Sequence, residues 1–90
     1  MPLFLLTPVD RHASDWAFSS TNESVQVEAE SEERARRRAN LFFGVAARVT
    51  PGAKRQLASS PWDQRHLVTA RVIEEPDPAV RLILASDTPP

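Results

Sequence analysis

Apolar positions along this chain come in short runs with two different periods. Residues 3–9 open on Leu3, Phe4, Leu5 and Leu6 and close on Pro8 and Val9. Such a run predicts a strand, and a proline near its end suits an edge or a strand terminus, where a missing donor is tolerated. From 24 to 30 the pattern alternates, Val25, Val27 and Ala29 against Ser24, Gln26, Glu28 and Glu30. A period of two predicts a second strand with the first set buried and the second set in water. The period then lengthens. Ala35, Ala39, Phe42, Phe43 and Ala46 share one face of a helix turning at about 100° per residue. Ser31 is a good N-cap, and Glu32 and Glu33 place negative charge at the positive end of the helix dipole. The favoured reading carries this helix from about 31 to 47, ending near Arg48 before Thr50-Pro51-Gly52; Gly44 is the alternative end. Residues 50–64 read as a long loop, because Pro51-Gly52, Ser59-Ser60-Pro61 and Pro61-Trp62-Asp63 all oppose a helix. Leu67 to Ile73 predicts a strand with Val68, Ala70 and Val72 inward and Thr69 and Arg71 outward. Pro76-Asp77-Pro78 makes a turn or short link. In a possible last strand Val80, Leu82 and Leu84 alternate with Arg81 and Ile83.

The order β-β-α-β-β defines an α+β domain in which one helix packs on one face of a mainly antiparallel sheet. Residues 1–86 form the single domain, and 87–90 a frayed tail. Phe4, Leu6, Leu67, Ile73 and Ile83 look like too much apolar surface for one helix to hide. A second copy covering the sheet face or an edge is the expected solution, giving a homodimer.

Composition narrows the function classes. The 90 residues hold 11 basic against 12 acidic side chains, a net charge of −1, so there is no whole-molecule field to attract nucleic acid or acidic membranes. The absence of cysteine excludes disulfides, thiolate zinc sites and a cysteine nucleophile. The apolar opening run lacks preceding basic residues and is too short for a signal core or a membrane span, so a cytoplasmic location without membrane contact is expected.

Several short motifs recur in one order: Thr7-Pro8-Val9-Asp10, Asp15-Trp16-x-x-Ser19, Val25-x-Val27-x-Ala29-x-Ser31-Glu32-x-x-Ala35-Arg36, and Pro61-Trp62. In order and spacing they resemble a family of short uncharacterised bacterial proteins over most of the chain. That resemblance implies a compact bacterial domain and carries no activity, ligand or site residue.

The candidate chemistry is sparse. Arg34, Arg36, Arg37 and Arg38 crowd one stretch of the helix, yet Glu30, Glu32 and Glu33 lie four residues before the first three, the favourable spacing for ion pairs. A solvated, locally neutralised face is therefore preferred to nucleic-acid binding, and Arg38 stands out as the arginine without such a partner. Leu41 and Val45 lie near Arg34 and Arg38, away from the core stripe, and resemble a contact patch unless the 50–64 loop covers them. Trp16 and Trp62 sit in loops, where tryptophan either plugs a small core or marks a ligand pocket; the plug is preferred. His12 and His66 have acids nearby but no metal-binding or catalytic spacing, the serines have no nucleophile elbow, and the two glycines form no phosphate loop. No catalytic, metal or cofactor site is expected. The reading is a non-enzymatic interaction module, homodimeric or bound to another protein. Nucleic-acid binding through Arg34, Arg38, Arg48, Lys54 and Arg55 is the alternative, with small-ligand binding at the Trp16/Trp62 loops third.

Overall fold

A computed structural model describes residues 1–44 and 61–88 of the chain. Four strands form one sheet: β1 (Leu3–Pro8), β2 (Val25–Glu28), β3 (Val68–Ile73) and β4 (Arg81–Ile83). One α-helix, α1 (Glu32–Phe43), and two 3₁₀ turns, Ser14–Phe18 and Pro61–Asp63, complete the described elements. The strand order is β3-β1-β2-β4. β1 pairs antiparallel with both β2 and β3, whereas β2 pairs parallel with β4. The α+β class and the β-β-α-β-β order are thus present, on a mixed sheet. Among the described residues no helix is long and apolar enough to cross a membrane.

Cross-strand partners share a face, so the register sorts the side chains. Phe4 lies opposite Val27, and Leu6 lies between Val25 and Ala70. With Val68 and Ile83 these residues form the face that α1 covers, and Leu6, Val25, Val27, Val68 and Ile83 are almost wholly buried. The helix begins as its sequence requires. Ser31 Oγ accepts from the Arg34 N–H at 3.2 Å, capping a donor that has no partner inside the helix. Ala35 and Ala39 are fully buried against the sheet, and Phe43 fills the space beyond them.

The favoured helix end was too late. α1 stops at Phe43, where the Gly44 N–H closes on the Asn40 carbonyl at 2.7 Å and Gly44 turns to an extended φ of −65° and ψ of 130°. Gly44 then bridges to Ser19. The glycine is needed here for space. A Cβ would overlap the Asn40 side chain and carbonyl oxygen. Val45, Ala46, Arg48 and most of the expected 50–64 loop lie outside the described residues.

Burial also corrects the argument from surplus apolar surface. Phe4, Leu6, Leu67 and Ile83 are all buried, and only Ile73 of that set stays half-exposed. The helix alone does not achieve this. Trp16 and Trp62, carried by the two 3₁₀ turns, join the same core and extend it past the end of α1.

The opposite sheet face has its own cover. β3 and β4 occupy opposite edges, so the 74–80 link must cross about three strand spacings, roughly 14 Å, which its length allows. Gln26 points to this face, between Val25 and Val27, and takes hold of the link. Its Nε2 donates to the carbonyls of Asp77 and Val80 at 2.8 and 2.9 Å, and its Oε1 accepts from the Asp77 N–H at 2.6 Å. Gln26 is therefore fully buried, where the alternation had put it in water. The register also decides the inward set of β4, which alternation alone left open. Pairing with β2 sets Ile83 opposite Val27 and Leu82 opposite Gln26, so Ile83 enters the core while Leu82 and Leu84 stay partly exposed.

Candidate functional site

The arginine-rich helix does not present a row of free cations. Arg34 Nε lies 3.7 Å from Glu30, both exposed, and Arg36 Nε lies 3.6 Å from Glu32. Arg36 is not solvated as expected: it is buried beneath the second 3₁₀ turn, and its Nη1 donates to the Trp62 carbonyl at 3.5 Å. The expected Glu33–Arg37 pair does not form within 4 Å; Arg37 acts instead on Asp63, whose carboxylate it favours electrostatically. Arg38, singled out for lacking a partner, has two. Its Nη2 donates to the carbonyls of Leu84 at 2.8 Å and Asp87 at 2.9 Å, and its guanidinium sits 5.9 Å above the Phe42 ring. Asp87, placed in the tail by sequence, is thereby held to the helix, and its carboxylate accepts from the Leu84 N–H. Leu41 is 58% exposed. Val45, Arg48, Lys54 and Arg55 lie outside the described residues.

The two tryptophans are brought together. Their rings meet edge to face with centroids 5.2 Å apart, and Phe43 packs on Trp62 at 5.8 Å. Trp62 Nε1 donates to Ser19 Oγ at 2.9 Å, and Trp16 Nε1 to the Asp10 carbonyl at 2.7 Å. With both rings buried and both N–H groups bonded inside the fold, the pair closes one end of the core. His12 and His66 are exposed, and among the described residues no group of three or more histidines, cysteines and acids could hold a metal.

The Asp63 carboxyl has a displaced pKa. The carboxylate is exposed on one side, but the groups around it displace water from the other. That loss of hydration raises its pKa above the usual 3.8, against the opposing pull of Arg37 and Arg36. Asn40 Nδ2 donates to it at 3.3 Å. A carboxylate so placed braces the second 3₁₀ turn against α1.

The surface that sequence reasoning did not single out is the outer edge of β3. Among the described residues no strand pairs with it, although at Leu3 to Pro8 its inner edge is fully registered on β1. Val72, expected inward, is 59% exposed, because α1 and the tryptophans cover the sheet only as far as Phe4 beside it. Arg71 precedes it and Glu74 and Glu75 follow it; all three are exposed, and none takes part in an ion pair among the described residues. Alternation along Val68–Ile73 signalled a strand but carried no sign of its place at an edge, which depends on the partners of distant segments.

Comparison of the chain with protein-family models, with curated proteins and with solved structures found no match.

Proposed function

We propose that this protein is a small non-enzymatic interaction module that works as a homodimer, joined through the outer edge of β3. The observation that carries the reading is the unpartnered edge itself, with an exposed valine near its C-terminal end and, among the described residues, unpaired charges of opposite sign on either side. An open strand edge displays backbone donors and acceptors that a second strand can satisfy.

A two-fold axis normal to the sheet makes two β3 strands antiparallel and keeps each residue on its own face, so the axis passes through a residue and not between two. Centring it on Val72 sets this side chain against its twin. Arg71 then lies opposite the second copy's Ile73 and diagonal to the second copy's Glu75, within reach of its long side chain. Centring it on Arg71 would oppose two arginines, which is unfavourable. Charge pattern and exposure thus select the same register and the same occupant, a second copy of this chain. The product is one continuous sheet of two fourfold halves, with both helices on one face.

Mass by light scattering after size exclusion, at high micromolar concentration, tests the proposal. Twice the monomer mass is expected, reverting to the monomer in Val72→Lys. A monomer mass for the unaltered chain, or a dimer that Val72→Lys leaves intact, overturns it.

A further inference from the structure

A separate polar cleft lies at the end of the sheet where β1 finishes and β2 and β4 begin. Its volume is about 600 Å³, the size of a small-molecule site. Arg11 and Arg81 both line it. Neither takes part in an ion pair among the described residues, unlike Arg34, Arg36 and Arg65. Each is nevertheless held in place. The Arg81 guanidinium lies 5.1 Å above the buried Phe43 ring, a contact that orients its fork, and its N–H groups hold no hydrogen bond among the described residues. Arg11 is tied to Asn22 in both directions, its Nη2 donating to Asn22 Oδ1 and its carbonyl accepting from Asn22 Nδ2, each at 3.4 Å. The half-buried Thr7 and Ser24 also line the cleft, and their hydroxyls hold no hydrogen-bond partner among the described residues.

We infer that this cleft binds a small soluble phosphate monoester. Two guanidinium forks supply the charge and the parallel N–H pairs that match a phosphate, and two free hydroxyls supply further donors. The chemistry of the remaining lining fits the other end of such a ligand: the half-buried Pro8 and Val80 offer apolar surface for its organic part. Glu23, the one acid in the lining, sits beside Asn22 and Ser24 and disfavours a ligand with more negative charge than the two arginines balance. The site does not involve the β3 edge and stands or falls independently of the dimer.

Amide-resolved NMR titration of the full isotope-labelled chain tests the inference, with glycerol phosphate and inorganic phosphate as probes and chloride as the screening control. The expected result is a saturable shift confined to residues of the cleft, Ser24 and Val80 among them, stronger for glycerol phosphate than for inorganic phosphate and absent with chloride. Arg11→Gln, an exposed side chain outside the core, is expected to weaken binding at least about tenfold. Arg81→Lys, which keeps the charge over Phe43 but loses the fork, is expected to weaken it by a smaller factor. Equal responses to phosphate and chloride, shifts scattered over the helix arginines, or unchanged affinity in Arg11→Gln overturn it. Anionic phospholipid vesicles form the final arm: binding to vesicles without binding of the soluble monoester also overturns it.

Discussion

Gln26 shows how much one side chain decides. Its primary amide imitates a peptide group, donating twice and accepting once, and so lets a strand hold an irregular segment across a sheet face. Loss of that amide leaves the Asp77 N–H and the Val80 carbonyl without their partner in a part-buried place, while the Asp77 carbonyl keeps the Val80 N–H. Gln26→Ala is expected to destabilise the fold by about 2–4 kcal/mol, read from urea unfolding, most of it from unsatisfied groups. A change below about 1 kcal/mol would mean that water replaces the amide without penalty. Asp63 offers a test of opposite sign. Its raised native pKa means that between the usual 3.8 and the native value the folded chain binds more protons than the unfolded chain. Stability contributed by this group therefore falls as pH rises through that window. Asp63→Asn keeps an acceptor for Asn40 and removes the ionisation. The variant is expected to be at least as stable as the parent at neutral pH, with a shallower decline across the acid window; an unchanged pH–stability curve would remove Asp63 from the account.

Elements end here for reasons of space as much as of propensity. α1 runs over Ala35 and Ala39, good helix formers small enough to let it approach the sheet closely, and begins at a serine cap that local sequence announces. Its end is a different matter. Gly44 has an ordinary φ, so other residues could adopt its backbone, yet the room for a Cβ is taken by Asn40. Gly44→Ala is expected to lower stability by about 1–3 kcal/mol, the usual range for overpacking. Asn40→Ala added to it should recover part of the loss, because part of the clash is with that side chain and the rest with the Asn40 carbonyl, and strict additivity of the two changes in thermal unfolding would contradict this account. The strands carry the same lesson. Alternation located β2 and β3 well, but it left the inward face of β4 open. A three-residue strand with apolar side chains on both faces has no preferred side of its own, and its register on β2 made the choice.

At the scale of the whole molecule, two crossings organise the fold. α1 and the second 3₁₀ turn connect β2 to β3 over one face, and the 74–80 link connects β3 to β4 over the other, so both faces acquire cover from a chain of modest length. Exposed apolar side chains remain at both edges, Val72 on β3 and Leu82 and Leu84 in and after β4, and Val72 is the more exposed. The dimer built on the β3 edge has a charge test. Arg71→Glu and Glu75→Arg should each weaken association, and the double reversal should restore it, measured as dissociation constants by sedimentation equilibrium. Failure of the double variant to recover would leave the edge without the proposed register. Thermal midpoints should rise with protein concentration in the parent chain and not in Val72→Lys, since association stabilises only the folded state.

Local chemistry was legible throughout: Ser31 as a cap, the i,i+4 pairs at Arg34 and Arg36, the two period-two runs, and the alanine stripe all depend on residues within a few positions of one another. The candidate sites were not, because each is made by segments far apart in the chain. Arg38 looked free until the turn at Leu84–Asp87 arrived beside it, and Gln26 looked wet until Asp77 and Val80 crossed over it. Trp16 and Trp62 could be read as plug or pocket until they were seen to share one core. Arg11 and Arg81 drew no notice at all, since neither belongs to a motif. Periodicity and caps report what a segment wants from its surroundings, and so the sequence by itself determined the elements, their order and the α+β class. Exposure and free hydrogen-bonding capacity depend on what those surroundings prove to be, and only the tertiary structure decided which polar groups were satisfied, which strands were left at the edges, and which arginines stand without an ion pair among the described residues.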